Sequence, residues 1–413
     1  MENKYTIKRH LENKINSLLK QFKCLVLTGP RQVGKSTLLK AILPNIYDFD
    51  YVKLDNPKNK LHAINDPEDF IKQHKCPLFI DEIQKAPVLF EYIKDIVDEN
   101  DSFGQFVMTG SESFELIKGV KEFLSTRAVL VEMNSLSQSE INEQSNFMYV
   151  PEPELIKKRE QPKKDKSQIF ASIIKGSMPD IVNGNVKDIQ SYYKTYSKTT
   201  LLADIKEDLV SIQDNKKYEK FLKALASLVG QEINYSTIAK FSDIDYKTAM
   251  NWTNALASMN VIFLLQPYTH NHIKRVLKSS KLYFYDTGLA CYLMNYKDHK
   301  ILMNSEYAGH IFECYAVSEI VKGYINECVN PSIYFLQDPN HKNREIDLII
   351  EGENGILFPI EIKMSITPKE KFFDNFSLLK PLENKVGPMS VVCCSEKFIS
   401  LGKQRYIVPV HWI

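Results

Sequence analysis

The chain has 413 residues, 44% of them hydrophobic and 25% charged, and 53 Lys and Arg against 51 Asp and Glu leave a formal charge of +2. That length exceeds one ordinary core and predicts two or three domains, while the composition excludes a chain dominated by disorder. A charge so near zero singles out neither nucleic acid nor protein as partner, so any basic surface must be local.

The first apolar run, Cys24 to Leu27, leads into Gly29-Pro-Arg-Gln-Val-Gly-Lys-Ser36, and Leu38, Leu39, Ile42 and Leu43 follow at helical spacing. A strand, a GxxxxGK[ST] loop and a helix in that order form a phosphate cradle. The glycines let successive N–H groups point at phosphate oxygens, and the helix adds the positive end of its dipole. Gly29, Pro30, Arg31, Gln32, Val33 and Gly34 are expected to wrap the phosphates, with Lys35 on the β and γ phosphates, Ser36 on magnesium and Thr37 beside it. ATP and Mg2+ are the implied cofactors.

Tyr51-Val-Lys-Leu54 reads as a second strand. Pro77-Leu-Phe-Ile-Asp81-Glu82 reads as a buried parallel strand delivering two carboxylates at its carboxyl end, where open α/β sheets hold ligands. Asp81 is expected in the magnesium shell and Glu82 as the group that polarises an attacking water; a plain strand-ending turn is the alternative. Phe106-Val-Met-Thr109-Gly-Ser111 follows as another buried strand, with Ser111 placed either to sense the γ phosphate or to satisfy backbone. After the helical stretch Ser113 to Leu124, Arg127 opens a fifth strand, Ala128 to Glu132. Arg127 either reaches the nucleotide of a neighbouring subunit, which implies a homo-oligomer, or pairs on the surface with Glu122. Strands alternating with helices predict a parallel sheet covered on both faces.

From Pro151 to Lys166 the chain is rich in Pro, Lys and Glu and reads as a mobile connection or a charged helix broken at its proline. Residues 167 to 212 are helical with a break at Gly176-Ser-Met-Pro179, and Tyr192, Tyr193 and Tyr196 read as core. Residues 216 to 267 carry three helices (Lys217 to Leu228, Tyr235 to Phe241, Asp245 to Met259) and a strand, Val261 to Leu265. That is winged helix-turn-helix order, with Lys247, Thr248, Asn251 and Asn254 on the exposed face of the longest helix, either for a DNA groove or for protein docking. The basic stretch from His270 through Arg275, Lys278 and Lys281 either touches phosphates or is a solvated loop, and His270 and His272 have no third metal ligand.

Glu313 falls on an amphipathic helix, Gly309 to Val321, Asp347 in Glu345-Ile-Asp-Leu-Ile-Ile350, and Glu361-Ile-Lys363 at the end of the strand Ile356 to Ile362. Asp347 and Glu361 are expected to hold one or two magnesium ions with Glu313 adding a ligand. Lys363 shares the Glu361 face because strand side chains alternate, and would orient the attacking water.

Together LTGPRQVGKSTLL (27 to 39), PLFIDEIQKAP (77 to 87), VMTGSESFEL (107 to 116), SLSQSE (135 to 140), GSMPDIV (176 to 182), KLYFYDTGLA (281 to 290) and REIDLIIE with PIEIK (near 344 to 363) resemble a bacterial and archaeal AAA-type ATPase family. Its members carry a C-terminal domain of unknown function similar to PD-(D/E)xK nucleases. Thr126 stands where that family has Gly before the arginine. The resemblance covers nearly the whole chain and implies a multidomain α/β protein: an AAA-type P-loop ATPase (1–150), a linker and helical lid-like region (151–213), a winged-helix-like segment (214–268) and a restriction-endonuclease-like α/β domain (269–413). The expected function is Mg-dependent ATP hydrolysis controlling a nuclease-like domain on DNA or RNA, in DNA maintenance or defence. The alternative is a nucleotide-dependent switch that docks a protein partner and cuts nothing.

Seven cysteines without CxxC spacing exclude a disulfide framework and fit a reducing cytoplasm. No apolar run approaches the ~20 residues that span a bilayer, so the chain is expected to be cytoplasmic with no membrane partner.

Overall fold

The computed structural model describes residues 7–110, 114–159, 163–208, 214–269, 279–341 and 344–413. Ser111, His270, His272 and the basic residues through Lys278 lie outside the described residues.

Strands β1 (Cys24–Thr28), β2 (Asp50–Lys53), β3 (Leu78–Asp81), β4 (Phe106–Thr109) and β5 (Ala128–Glu132) form one sheet in the order β2-β3-β4-β1-β5. Every pairing in it is parallel. β1, β3 and β4 are buried along their whole length, because helices cover both faces and each strand is apolar except for a final Thr or Asp. The chain leaves β1 for the far edge at β2 and returns on the other side of β1 with β5. Strand order therefore reverses at β1, and the loops leaving β1, β3 and β4 meet at one carboxyl edge.

The second sheet is mixed: β6 (Ile262–Pro267), β7 (Lys281–Phe284), β8 (Ile333–Gln337), β9 (Glu345–Glu351), β10 (Leu357–Lys363), β11 (Met389–Cys393), β12 (Ile399–Ser400) and β13 (Arg405–Pro409) run in the order β12-β13-β11-β10-β9-β8-β6-β7. β6 pairs antiparallel with β7 and, through Gln266 and Pro267, parallel with β8. The strand that follows the three helices is thus built into the C-terminal sheet. Those helices are Asn215–Ala226, Tyr235–Ser242 and Tyr246–Ser258, each opened by a side chain (Asp214, Asn234, Asp245) that accepts a backbone N–H of the first turn. Trp252 joins them, its ring 5.2 Å from Phe221 and 5.9 Å from Tyr218.

Two expectations are corrected. The helix bearing Glu313 runs from Ala308 to Ile325 and is buried on nearly every side rather than amphipathic, because it packs against β7, β10 and the helices Lys166–Lys175 and Thr287–Leu293. A Cβ on its Gly323 would stand 2.3 Å from the Phe147 carbonyl oxygen, so only glycine admits the chain that crosses there. The described residues 151–159 of the connection are held in place rather than loose, with a helix opening at its proline. Ile156, in the helix Pro153–Lys157, is fully buried, and the buried Arg159 guanidinium donates to Ser139 Oγ (2.9 Å), Ser145 O (3.0 Å) and Trp412 O (2.9 Å). Its charged composition hid this, because one arginine collects carbonyls that are distant in sequence.

One apolar cluster runs from the first sheet into the second, joining Leu25 and Val33 with Met178, Tyr193, Tyr285 and Leu289, while a second cluster fills the other face of the first sheet. Tyr193 and Tyr196 are buried in the shared core as expected.

Candidate functional sites

The loop after β1 takes its shape from three residues with positive φ: Gly29 (134°), Gln32 (65°) and Gly34 (97°), the last opening the helix Lys35–Ile42. A Cβ at Gly29 would lie 2.0 Å from the Met133 carbonyl oxygen, so glycine is required where the loop passes the end of β5. Lys35 is 7% exposed, and its ammonium donates to the carbonyls of Gly29 (2.7 Å) and Pro30 (2.9 Å), which holds it over the cradle.

Asp81, at the tip of β3, is the hub. Its Oδ1 accepts from Ser36 Oγ (2.7 Å) and from Thr109 Oγ1 at the tip of β4, and its Oδ2 accepts from Tyr51 OH (2.9 Å). Burial, with the hydrogen bond to Asp81, pushes the Tyr51 phenol above its usual value. Next to it Glu82 adopts left-handed φ/ψ (65°, 49°), its N–H donating to Thr109 Oγ1 (3.3 Å) and its Oε2 accepting from Gln84 Nε2 (2.6 Å). A hydroxyl and a carboxylate in contact beside a buried lysine are a donor set suited to Mg2+ on a triphosphate.

Arg127 lies at the amino end of β5, its carbonyl accepting from Cys24 N (3.0 Å), at the end of the sheet opposite the phosphate loop. Its guanidinium is engaged by Asp98, with Nη2 2.9 Å from Oδ2, and not by Glu122.

Sequence reasoning missed Thr109, Tyr51, Gln84 and Arg9. The first three lie inside the motifs above: Thr109 at the tip of β4, Tyr51 within β2 and Gln84 two residues past Glu82. Arg9 carried no signal. It is 3% exposed and donates to the phosphate-loop carbonyl of Val33 (3.0 Å), to Asn134 O (2.8 Å) and to Glu140 Oε1 (2.9 Å). Glu140 is desolvated, which works against its charge, but Arg9, His10 and the N–H groups of Ser137 and His10 hold its carboxyl below the usual value. The same segment is clamped to the long buried helix: Gln138 N donates to Glu319 Oε2 (2.7 Å) and Lys322 Nζ to Leu136 O (2.9 Å).

The second cluster of charge lies where β9 and β10 pair. Their register sets Ile360 opposite Leu348, so Glu361 and Asp347 fall one step further along. Lys363 Nζ stands 2.6 Å from Glu361 Oε1 and 3.4 Å from Asp347 Oδ2, and Ile362 N donates to Asp347 Oδ2 (2.7 Å). Burial, reinforced by Asp347 and opposed by Lys363, raises Glu361 to about 8. Its Oε2 is a buried oxygen without a partner, a position that a cation would satisfy.

Glu313 is not gathered with that pair. Its Oε1 accepts from Tyr283 OH (2.6 Å) and Lys281 Nζ (3.1 Å), and Lys281 also bridges to Glu345 Oε1 (2.9 Å). Burial, opposed by Lys281 and reinforced by Asp347, places Glu313 at about 7. Among the described residues no group of three or more His, Cys, Asp or Glu is arranged to hold a metal ion, and Glu313 makes its hydrogen bonds to Tyr283 and Lys281 instead. Lys281 reads from sequence as part of a basic loop. It is 2% exposed on β7, where two carboxylates offset its burial and raise it above its usual value. The period-two spacing of Lys281 with Tyr283 is the signal that places both against Glu313.

Comparisons with known proteins bear on the amino-terminal domain. Residues 21–142 match an AAA domain, residues 166–300 a domain of unknown function (DUF8612) and residues 308–413 a second domain of unknown function (DUF4143). The uncharacterized protein Rv2008c of Mycobacterium tuberculosis is 24% identical over 347 residues, 83% of this chain and 71% of that protein. The uncharacterized protein MJ1544 of Methanocaldococcus jannaschii is 25% identical over 366 residues, 84% and 77% of the two chains. Among solved structures, the Walker-type ATPase paby2304 of Pyrococcus abyssi superposes with a TM-score of 0.42 at 15% identity, over 68% of this chain and 94% of that one. AMPPCP-bound DnaA of Aquifex aeolicus superposes at 0.29 and 14%, over 60% and 85%. The parallel sheet with its phosphate loop is the part that matches an AAA domain, and it is joined to a second domain built on a mixed sheet. No helix among the described residues is long and apolar enough to cross a membrane.

Proposed function

We propose that the protein hydrolyses ATP with magnesium and uses the cycle to control the conformation of its C-terminal domain on nucleic acid. The observation that carries the reading is the convergence of Ser36, Asp81 and Thr109 from three adjacent elements beside Lys35, with Glu82 at the same edge. Lys35 binds the β and γ phosphates in exchange for the two loop carbonyls it now holds. Ser36 and Asp81 hold Mg2+, which when bound screens phosphate charge. Glu82, oriented by Gln84, accepts a proton from the attacking water, so the displacement needs a positioned nucleophile and little else. Ser111 stands at the γ-phosphate side of the same edge in this reading.

Coupling follows from contact. Pro30 and Val33 of the phosphate loop line a small space with Met178 and Tyr193 of the lid-like region and Tyr285 and Leu289 of the C-terminal domain, so a loop that closes on phosphate moves against both. We assign residues 1–150 to the ATPase, 151–213 to the lid-like region, 214–268 to a winged helix and 269–413 to a nuclease-like domain. There Asp347 and Glu361 hold a divalent ion through the orphaned Glu361 oxygen and Lys363 orients the water. One observation favours the second reading, a nucleotide-dependent protein-interaction switch with an inactive domain: Lys281 already engages both Glu313 and Glu345 from inside the chain.

The test is ATP turnover by wild type, Lys35→Ala and Glu82→Gln, with cleavage of DNA and RNA by wild type, Asp347→Ala and Lys363→Ala. Lys35→Ala is expected to abolish nucleotide binding, and Glu82→Gln to bind ATP and lose turnover. Normal turnover by Glu82→Gln removes the assignment of the base. Intact ATPase activity with no cleavage under any condition moves the conclusion to the switch.

A further inference from the structure

Four aromatic rings are exposed among the described residues: Tyr51, Phe103, Phe241 and Tyr246. Two of them bracket one corner. Phe241 (59% exposed) is the penultimate residue of the helix Tyr235–Ser242, and Tyr246 (54% exposed) is the first residue of the helix Tyr246–Ser258. The Tyr246 ring meets the edge of Tyr235, with centroids 5.7 Å apart at 77°, while the residue stays 54% exposed.

Charge at the same corner has one sign left over. Lys217 pairs with Asp243 (3.0 Å), and Lys220 is close enough to act on the same carboxylate. Asp245 is spent as the cap of the next helix, accepting from Thr248 N (2.9 Å) and Thr248 Oγ1 (2.5 Å). Both acids are therefore occupied locally. Lys220, Lys240 and Lys247 are exposed, and no ion pair among the described residues engages them. The longest helix continues this surface with Asn251 and Asn254, both exposed.

We propose that this corner binds unpaired nucleotides, with Phe241 and Tyr246 stacking on bases and Lys220, Lys240 and Lys247 contacting the phosphates between them. A partner that covers flat apolar rings and neutralises three lysines at once must alternate π faces with negative charge, which single-stranded nucleic acid does and a base-paired duplex does not at its surface. The inference rests on the nucleic-acid part of the function proposed above and deepens it by naming the strand state and the contact residues. It is independent of whether Asp347 and Glu361 cut.

The experiment is fluorescence anisotropy of the full chain in EDTA, which prevents cleavage. The probes are an oligo-dT of about 20 nucleotides, long enough for one site, a duplex of the same length, and poly-L-glutamate. The variants are Phe241→Leu/Tyr246→Leu, which keeps apolar bulk and discards the rings, and Lys220→Gln/Lys240→Gln/Lys247→Gln. Expected is preference for the single strand, a loss of about tenfold in affinity for the Leu pair at unchanged salt slope, and a salt slope shallower by about two in the Gln triple. Near-UV circular dichroism establishes that both variants remain folded. Wild-type affinity in the Leu pair overturns the inference and leaves the nucleic-acid reading standing, as does tighter binding of the duplex. Tighter binding of poly-glutamate than of DNA overturns it in favour of an acidic protein partner. No binding of either nucleic acid by wild type overturns the parent reading as well.

Discussion

Arg9→Met tests whether the phosphate loop is held from the amino-terminal side by one buried charge. The substitution keeps roughly the length of the side chain and removes three hydrogen bonds, to Glu140, Val33 and Asn134. The Glu140 side chain has no exposure, so it becomes a buried carboxylate without its partner. Breaking such a pair costs about 3–5 kcal/mol, and two carbonyls also lose a charged donor worth about 1.5 kcal/mol each or more. These losses overlap because the chain relaxes around them, and the expected destabilisation near neutrality is about 4 kcal/mol. The pH dependence carries a sign. In wild type the Glu140 carboxyl lies below its ordinary 4.5, so its contribution is present above pH 4.5 and lost as pH falls through the lower folded value. In the variant desolvation remains and Arg9 does not, so the carboxyl moves above 4.5 and the penalty is largest at high pH. The gap between variant and wild type must therefore shrink on acidification. Urea unfolding at about pH 7.5 and about pH 4.5, with affinity for a fluorescent ATP analogue in parallel, reads all of this. Glu140→Gln in the Arg9→Met background should recover part of the loss. A deficit under about 1 kcal/mol, or one equal at both pH values, would refute the argument.

Three further outcomes follow from the geometry. Gly323→Ala, which in an exposed helix gains up to about 1 kcal/mol, should here cost about 1–3 kcal/mol in urea unfolding because the new Cβ meets the Phe147 carbonyl. Lys281→Met should lower the free energy of urea unfolding by about 3 kcal/mol, and adding Glu313→Gln should return part of it, since the loss comes from the carboxylate left behind. His411, 8% exposed, has its imidazole lowered to about 4, first by burial and then by Lys164, with neither ring nitrogen hydrogen-bonded. Stability is then complete above about pH 6.5 and falls as the pH drops toward 4, where the unfolded chain takes a proton that the folded one refuses; His411→Phe should flatten that part of the pH–stability curve.

The two sites differ in how far the sequence discloses them, and the difference is physical. At the nucleotide site each group is fixed by local backbone: Lys35 and Ser36 open a helix, Asp81 ends a strand, and parallel pairing alone carries those ends to one edge. A reader of motifs therefore finds most of it. What stays hidden is Arg9, whose partners stand 24, 125 and 131 residues away in the chain. No periodicity encodes such contacts. At the acid site Asp347, Glu361 and Lys363 are likewise legible, being neighbours across one antiparallel pair. Glu313 is harder to read. Its position on a helix marks it as a third ligand only if nothing else reaches it first, and Lys281 and Tyr283 arrive from a strand whose register puts both on its face.

A lysine at that place changes what the site can do. With Lys281 shared by Glu313 and Glu345, and Lys363 by Asp347 and Glu361, four carboxylates face two ammonium groups. Glu313 at about 7 and Glu361 at about 8 still hold protons near neutrality, so a divalent ion would bind by displacing the Glu361 proton, and the unpartnered Glu361 oxygen is where it would be felt. Unfolding temperatures with and without Mn2+ in excess EDTA-free buffer decide the point. A rise that disappears in Glu361→Gln but survives in Glu313→Gln assigns the ion to the strand pair alone. A rise lost in both variants returns Glu313 to the ligand set and requires Lys281 to give it up.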